Sequence, residues 1–308
     1  MSSIVLCVPL GAAACFGLAG PAAARRLPPR QATWLLSGGA TLVALSSLAV
    51  LVLLGAVLVG QQSEIAHAGH WSAAALSAYA PVNRAAGAGA LLAALALTAT
   101  ATRVGWRRGL ALVSLHRNSR GLPATTGELV VVSGPPAGAY AVPGRPGCVV
   151  ISQSLLATLS ARERRAVLEH ERAHLAHGHH WHLTAVTLAV ALNPMLFSLR
   201  ASAQYAVERW ADETAADAIG DRRVVAAALA RAALLDAPAP PTALTMASHA
   251  VPERVTALLH APPRPRPSVL IVTGLLLLAA MTAVVISTKQ VEHLFELARH
   301  LARATPLS

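Results

Sequence analysis

The chain has 308 residues, 55% of them hydrophobic and only 13% charged, and its net charge is +11. This composition excludes an ordinary soluble domain. The basic residues lie beside long apolar runs, which indicates anchoring at a membrane surface and argues against a nucleic-acid partner. Cys7, Cys15 and Cys148 are an odd number without Cys-x-x-Cys spacing, so neither a disulfide framework nor a Cys-ligated zinc site is predicted.

Four apolar runs predict transmembrane helices. They cover residues 4–24, 32–60, 85–102 and 268–287. A signal peptide is the competing interpretation of the first run, but no basic residue precedes its apolar core and a second run follows almost at once. A shorter run at 183–199 contains a proline and is marginal for crossing a bilayer.

Arginines lie on alternate connections between these runs. They occur at 25–30, at 103–120 and at 264–266, whereas residues 61–83 contain neither Lys nor Arg. The positive-inside rule therefore predicts that the chain after the third run is cytoplasmic, with the amino terminus and residues 61–83 outside. For the last run to have this orientation, residues 183–199 must not cross completely.

Residues 128–156 differ in character from the rest. Short runs rich in Val and Ile at 129–132 and 148–151 are separated by Gly/Pro-rich turns, and 139–142 is a further candidate strand. A small sheet is therefore predicted here. It is either a structural β-meander or a sheet whose edge strand holds an extended peptide.

His170-Glu171-x-x-His174 follows this sheet, on a helix whose start is indicated by the capping-box pair Ser160 and Glu163. Residues four apart share a helix face, so the two imidazoles can bind one Zn²⁺ per chain and leave room for a third ligand and a water. Glu171 lies beside that pair, where it can take a proton from the water.

Two residues compete to be the third ligand. His180 follows His174 at the metzincin distance, but that pattern requires Gly where His177 stands, and Gly178 comes one residue late. Glu208 and Asp212 instead lie four apart on one face of the next predicted helix. There Glu208 can bind zinc while Asp212 orients a ligand histidine by a hydrogen bond. This second arrangement is favoured.

His170-Glu-x-x-His174, Asn193-Pro194 and Glu208-x-x-Ala211-Asp212 together resemble the gluzincin-type membrane metallopeptidases. That group includes the BlaR/MecR-type peptidases and the related heat-shock and CAAX prenyl proteases. The resemblance covers roughly residues 129–217, with a weaker echo at Arg254-Val255-x-x-Leu258. It implies a zincin-like fold, a zinc-dependent endopeptidase activity, and the roles of ligand for His170, His174 and Glu208 and of base for Glu171.

The expected fold is a mainly α, multi-pass membrane protein of the cell membrane. Three transmembrane helices fill residues 1–108, and a cytoplasmic α+β zincin-like peptidase domain fills 109–262. A fourth transmembrane helix and a short amphipathic tail fill 263–308, and helical spacing at 289–303 favours a tail on the bilayer surface. Three runs before the peptidase segment and one after it are typical of the BlaR/MecR type. No penicillin-binding sensor domain follows the last run, so antibiotic sensing is not expected.

The function expected from these features is cleavage of protein or peptide substrates at the cytoplasmic face. Tyr205 and His249 are candidates for a second oxyanion donor. One alternative is a metal-binding or metal-transporting membrane protein, but the four apolar runs contain no His, Asp or Glu. The other is a signalling protein with a non-catalytic zincin-like domain, which the presence of Glu171 disfavours.

Overall fold

A computed structural model describes residues 3–120, 129–133, 138–144, 147–235, 245–261 and 263–304. The described residues are mainly helical, as predicted. The helices are α1 (Ser3–Ala24), α2 (Pro29–Gly60), α3 (Ser63–Gly69), α4 (Ala73–Ala78), α5 (Arg84–Arg120), α6 (Gln153–Thr158), α7 (Ala161–Ala176), α8 (His179–Leu192), α9 (Leu199–Ile219), α10 (Arg222–Leu235), α11 (Thr245–Leu259) and α12 (Pro267–Ala304). The strands are β1 (Leu129–Val132), β2 (Ala139–Val142) and β3 (Cys148–Ser152), and a 3-10 helix covers Pro194–Leu196.

Four helices of the described chain are long and apolar enough to cross a membrane. They are Val5–Ala24, Pro29–Gly60, Arg84–Arg117 and Pro267–Ala304. The four predicted apolar runs lie within α1, α2, α5 and α12, and α1, α5 and α12 all pack against α2. Pro28 and Pro29 start α2 cleanly, because proline at a helix start loses no hydrogen bond.

The segment after α7, the helix that carries His170 and His174, forms a helical hairpin beside the first part of α2. His182 Nδ1 lies 2.8 Å from Ser37 Oγ near the start of α8, and Asn193 Nδ2 donates to Ser47 Oγ at 3.0 Å where α8 ends. The chain turns through the 3-10 helix, and α9 then returns along α2. Residues 183–199 thus run only part of the way along α2 before α9 returns, and the incomplete membrane crossing stays a prediction.

Close contact at the hairpin turn depends on a glycine. Ser198 Oγ donates a hydrogen bond of 2.5 Å to the Gly17 carbonyl oxygen in α1. A Cβ atom on Gly17 would lie 2.2 Å from the Met195 carbonyl oxygen, so a larger residue would push α1 away from the turn.

The three strands form one sheet in the order β1-β3-β2. β1 pairs with β3 in parallel and β2 pairs with β3 antiparallel. The β-meander interpretation is therefore wrong, because consecutive strands β1 and β2 lie on opposite sides of β3. β2 is an edge strand of this sheet and packs against α7.

The last helix differs from the prediction at its carboxyl end. α12 continues without a break to Ala304, and Val291, Leu294 and Ala298 pack with Val57 of α2 and Leu76 of α4. The apolar face predicted to lie on the bilayer surface is instead covered by protein. Periodicity alone identifies an apolar face but not the material that covers it.

Candidate metal centre

The helix that carries the motif is fixed at its start by the predicted capping box. Ser160 Oγ accepts a hydrogen bond from the Glu163 backbone N–H, and Glu163 Oε2 accepts one from the Ser160 backbone N–H at 2.9 Å. Arg231 of α10 also binds Glu163, at 2.7 Å. Ala166 is buried in a core shared with α9 and α10, while Ala173 is buried on the same helix. These contacts set the rotation of α7 and present its two motif histidines to α9.

His170, His174 and Glu208 each offer one ligand atom, and these atoms lie within 4.8 Å of one another. His170 Nε2 is 3.1 Å from His174 Nε2 and 3.4 Å from Glu208 Oε2, and His174 Nε2 is 3.7 Å from Glu208 Oε1. Tetrahedral zinc with bonds of ~2.0–2.1 Å requires ligand atoms roughly 3.3 Å apart. Two imidazoles and one carboxylate at these separations fit Zn²⁺ and leave one position for water or substrate.

Asp212 and Arg254 support two of these three side chains. Asp212 is buried, and its Oδ1 lies 3.1 Å from His170 Nδ1. Arg254 donates to both oxygens of Asp212, at 2.8 and 2.7 Å, and its Nη1 lies 3.0 Å from Glu208 Oε2. A bidentate Arg–carboxylate pair fixes position as well as charge. The Arg254 guanidinium therefore holds the carboxylates of Glu208 and Asp212 in one arrangement.

Residues 107–213 match the model of Peptidase family M48. This match supports a zinc metallopeptidase family and a metallopeptidase function. The M48 region runs from the end of α5 through Glu213 of α9, so it contains the sheet, α7 and Glu208, whereas Arg254 lies beyond it. No curated protein and no solved structure matches this chain. The BlaR/MecR type stays a prediction.

Charges in the M48 region shift the pKa values of the ligand groups. Burial lowers the pKa of His170, but its hydrogen bonds with Asp212 and Glu208 raise it overall, to about 10. Burial lowers the pKa of His174 to about 4. Burial opposes ionisation of Glu208, yet the hydrogen bond with His170 leads the effects that hold its pKa far below the usual range. Glu208 is therefore ionised at neutral pH, and a metal ion must displace the proton of His170.

Glu171 lies next to the edge strand of the sheet. Its carboxylate accepts a hydrogen bond from the backbone of Ala141 in β2, which lowers its pKa, but burial is the larger effect and raises the pKa overall. A raised pKa makes a carboxylate a better proton acceptor near neutral pH. The Ala141 contact also shows that the free edge of β2 faces the side chain predicted to be the base.

The other candidate residues from the sequence lie at different distances from the metal group. His180 is on α8, its ring contacts Trp181, and it is not a member of the metal group found among the described residues. Tyr205 lines a cavity next to Glu208. The side chain of His249 lies outside the described residues. The sequence shows Arg254 only as part of the Arg254-Val255-x-x-Leu258 echo, because its burial and its pairing with Asp212 and Glu208 depend on how α11 packs.

A cavity of about 760 Å³ opens between the α1–α2 connection, α9 and α11. Glu208 and Arg254 form part of its wall, so the cavity adjoins the metal group. Much of the remaining wall is apolar, and Arg25 lies along it. The apolar part includes Ala24, Leu27, Ala32, Ala206, Pro252 and Ala257.

Proposed function

We propose that this chain is a membrane-embedded zinc endopeptidase that hydrolyses peptide bonds of protein substrates at the cytoplasmic face of the cell membrane. The observation that carries the proposal is the convergence of His170, His174 and Glu208 beside the carboxylate of Glu171. The M48 match over the same residues supports the reaction class. Three apolar helices before the M48 region and one after it favour the BlaR/MecR type.

His170, His174 and Glu208 would hold the ion, while Asp212 and Arg254 keep His170 and Glu208 oriented. When bound, Zn²⁺ supplies a Lewis acid that polarises the peptide carbonyl and lowers the pKa of water from ~15.7 toward ~7. Glu171 takes the proton of the attacking water and then delivers it to the leaving amine. The burial that raises the pKa of Glu171 suits both steps.

Two features near the metal group suit a polypeptide substrate. The free edge of β2 can pair with an extended peptide backbone, and the Ala141 contact places that edge beside Glu171. The cavity beside Glu208 and Arg254 has a largely apolar wall, which suits apolar substrate side chains. Both features adjoin the proposed site, the β2 edge at Glu171 and the cavity at Glu208.

The cytoplasmic assignment is supported by the position of the arginines. Arg25 in the α1–α2 connection lines the cavity beside Glu208, and the Arg30 guanidinium lies 5.9 Å from the ring of Trp210 on α9. The metal group is thus on the same side of the helix bundle as the Arg-rich α1–α2 connection. Positive-inside bias assigns that connection to the cytoplasm.

Cysteine labelling tests this orientation. In a variant without Cys7, Cys15 and Cys148, a single cysteine replaces the exposed residue Ser133 or the exposed residue Ser63. A membrane-impermeant reagent should label the Ser63→Cys variant in intact cells and the Ser133→Cys variant only after lysis. The opposite pattern would place the metal group outside and change the substrate class.

Proteolysis itself is tested with the purified full chain in detergent. The zinc-loaded protein should cleave a peptide library, and Glu171→Gln should remove the activity while the zinc content stays the same. Comparing membrane proteomes of cells with the natural chain and with Glu171→Ala would identify substrates as proteins that accumulate. A zinc-loaded natural chain that cleaves neither peptides nor membrane proteins would refute the peptidase proposal.

A further inference from the structure

The second motif histidine has a partner that the sequence did not reveal. His179 Nδ1 lies 2.9 Å from His174 Nδ1, and the His179 ring is only 1% exposed. Gly178 makes this contact possible, because its φ of +61° breaks the chain direction between α7 and α8. The first residue of α8 is thereby turned back against the last part of α7.

The two nitrogen atoms of His174 have different surroundings. Nε2 faces His170 and Glu208, so it is the atom available to a metal ion. An imidazole that binds a metal through Nε2 carries its proton on Nδ1 and donates it to a neighbouring acceptor. The neighbour is His179 Nδ1, which must then be unprotonated and accept the hydrogen bond. The tautomer of His179 that results has its proton on Nε2.

In this tautomer the Nε2 proton of His179 has no acceptor among the described residues. Its Nε2 is buried and has no hydrogen-bond partner among the residues that the structure describes. The ring is held by packing instead, with its centroid 4.8 Å from that of Trp210 and 5.7 Å from that of His177. A buried donor without a partner is unfavourable, so a ring that only filled space would be better as an apolar residue. The useful atom of His179 is Nδ1.

We propose that His179 is the positioning residue for His174, as Asp212 is for His170. This proposal rests on the proposed zinc site. It makes the two ligand histidines unequal, because His170 donates to a carboxylate and His174 donates to a neutral imidazole. His179 acts by fixing the tautomer and ring orientation of His174, so its effect appears in metal affinity before any peptide is cleaved.

A matched pair of substitutions separates the effect of the His179 Nδ1 acceptor from the effect of packing of the His179 ring. In asparagine, Oδ1 is bonded to Cγ as Nδ1 is in histidine, and leucine has nearly the same shape without an acceptor. Both His179→Asn and His179→Leu remove the ring contact with Trp210, so their difference reports the acceptor alone. His180→Leu is the control on the same helix, since the His180 ring contacts Trp181 and lies outside the metal group.

The measurement is competition for Zn²⁺ between the purified full chain and a chromophoric chelator, with the absorption spectrum of Co²⁺ in the site as a second readout. His179→Leu should bind Zn²⁺ on the order of 10-fold to 100-fold more weakly than the natural chain. His179→Asn and His180→Leu should stay close to the natural value, and His179→Leu should shift the Co²⁺ spectrum. Natural affinity in His179→Leu, or an equal loss in His179→Asn, would overturn the proposal.

The outcome is independent of the peptidase proposal. If the natural chain binds zinc but cleaves nothing, the affinity comparison still tests His179. If His170→Ala and Glu208→Ala keep their zinc, the metal site itself is wrong. Should His179→Leu fail to fold, His179→Ala takes its place, because alanine also lacks an acceptor at the Nδ1 position and its zinc affinity is again compared with that of His179→Asn.

Discussion

At the end of the helix bundle that holds His170 and His174, the buried side chains include Asp212 and Arg254, and Glu208 is mostly buried beside them. At the opposite end, α2, α4 and α12 meet through buried apolar residues, among them Val57, Leu76, Val291, Leu294 and Ala298. The Trp71 and Phe295 rings pack edge to face there at 5.0 Å, and Trp71 Nε1 donates to the Gly60 carbonyl at 2.8 Å.

The buried residues at the two ends therefore have different roles: the apolar ones stabilise the fold, and the charged ones serve the proposed chemistry. Apolar burial stabilises a fold without needing specific partners, whereas a buried charge is unfavourable unless it is paired and hydrogen-bonded. Replacing buried ion pairs by apolar residues often leaves stability unchanged or improved. The charged cluster of Glu208, Asp212 and Arg254 is therefore better explained by metal binding than by folding. Substitutions at the two ends should consequently affect zinc binding very differently.

Glu208→Ala should have the largest effect, because it removes a proposed ligand and leaves two imidazoles. We expect the purified variant to lose both zinc and activity, while His180→Ala keeps both. Metal analysis of the two proteins decides this. An empty site in His180→Ala together with a filled site in Glu208→Ala would reverse the ligand assignment.

Glu171→Ala should remove catalysis but keep metal binding at the end of the bundle that holds His170 and His174. The base is not a ligand, so zinc content should match that of the natural chain, while the rate of peptide cleavage falls at least ~10²-fold. Cleavage assays on samples with measured zinc content test this. Full activity in a zinc-loaded Glu171→Ala protein would falsify the assigned role.

Arg254→Met should reduce stability as well as zinc binding. It removes the guanidinium that contacts both Glu208 and Asp212, and breaking a buried pair in this way costs about 3–5 kcal/mol. Thermal unfolding with and without added zinc measures the loss. Arg172→Met is the matched control, because its exposed pair with Glu169 should contribute less than ~1 kcal/mol. Equal losses in the two variants would show that the Arg254 contacts are unimportant.

Asp212→Asn should have a smaller effect than loss of Glu208, since the amide oxygen can still accept from His170 Nδ1 while the charge is lost. Zinc affinity should fall on the order of 10-fold to 100-fold. Chelator competition measures this value. An affinity equal to that of the natural chain would show that the charge of Asp212 does not support His170.

Phe295→Ala tests the opposite end and should have the smallest effect on zinc binding. Truncating this ring removes its contact with Trp71, and large-to-small substitutions of packed aromatic residues cost about 3–5 kcal/mol. Zinc affinity should nevertheless change less than about twofold. A lower melting temperature with unchanged affinity would support the separation of the two ends, whereas a large loss of affinity would contradict it.

Local patterns in the sequence predicted the parts of the site that lie within one helix or its caps. The capping box of Ser160 and Glu163 and the four-residue spacings of His170 with His174 and of Glu208 with Asp212 all depend on helix geometry alone. The four apolar helices follow equally from composition. Each of these features is decided by residues that are near one another in the chain.

The parts that the sequence did not predict depend on which elements pack together. Arg254 and Asp212 are 42 positions apart, and no local pattern states that α11 returns to α9. The contact of His179 with His174 depends on the turn at Gly178. The apolar face of α12 was assigned to the bilayer because spacing does not distinguish lipid from Val57 and Leu76.

The hydrogen bonds of the α8–α9 hairpin impose an order on folding. His182 and Asn193 pair with Ser37 and Ser47, residues synthesised 145 and 146 positions earlier. An asparagine side chain that enters an apolar environment without a partner is strongly disfavoured. The hairpin can therefore dock only after α2 is in place, and the entropy of closing so long a loop makes this contact a late one. Glu208 lies on the returning helix, which also packs against α2, so these two hydrogen bonds help to fix how far along α2 the ligand carboxylate is held.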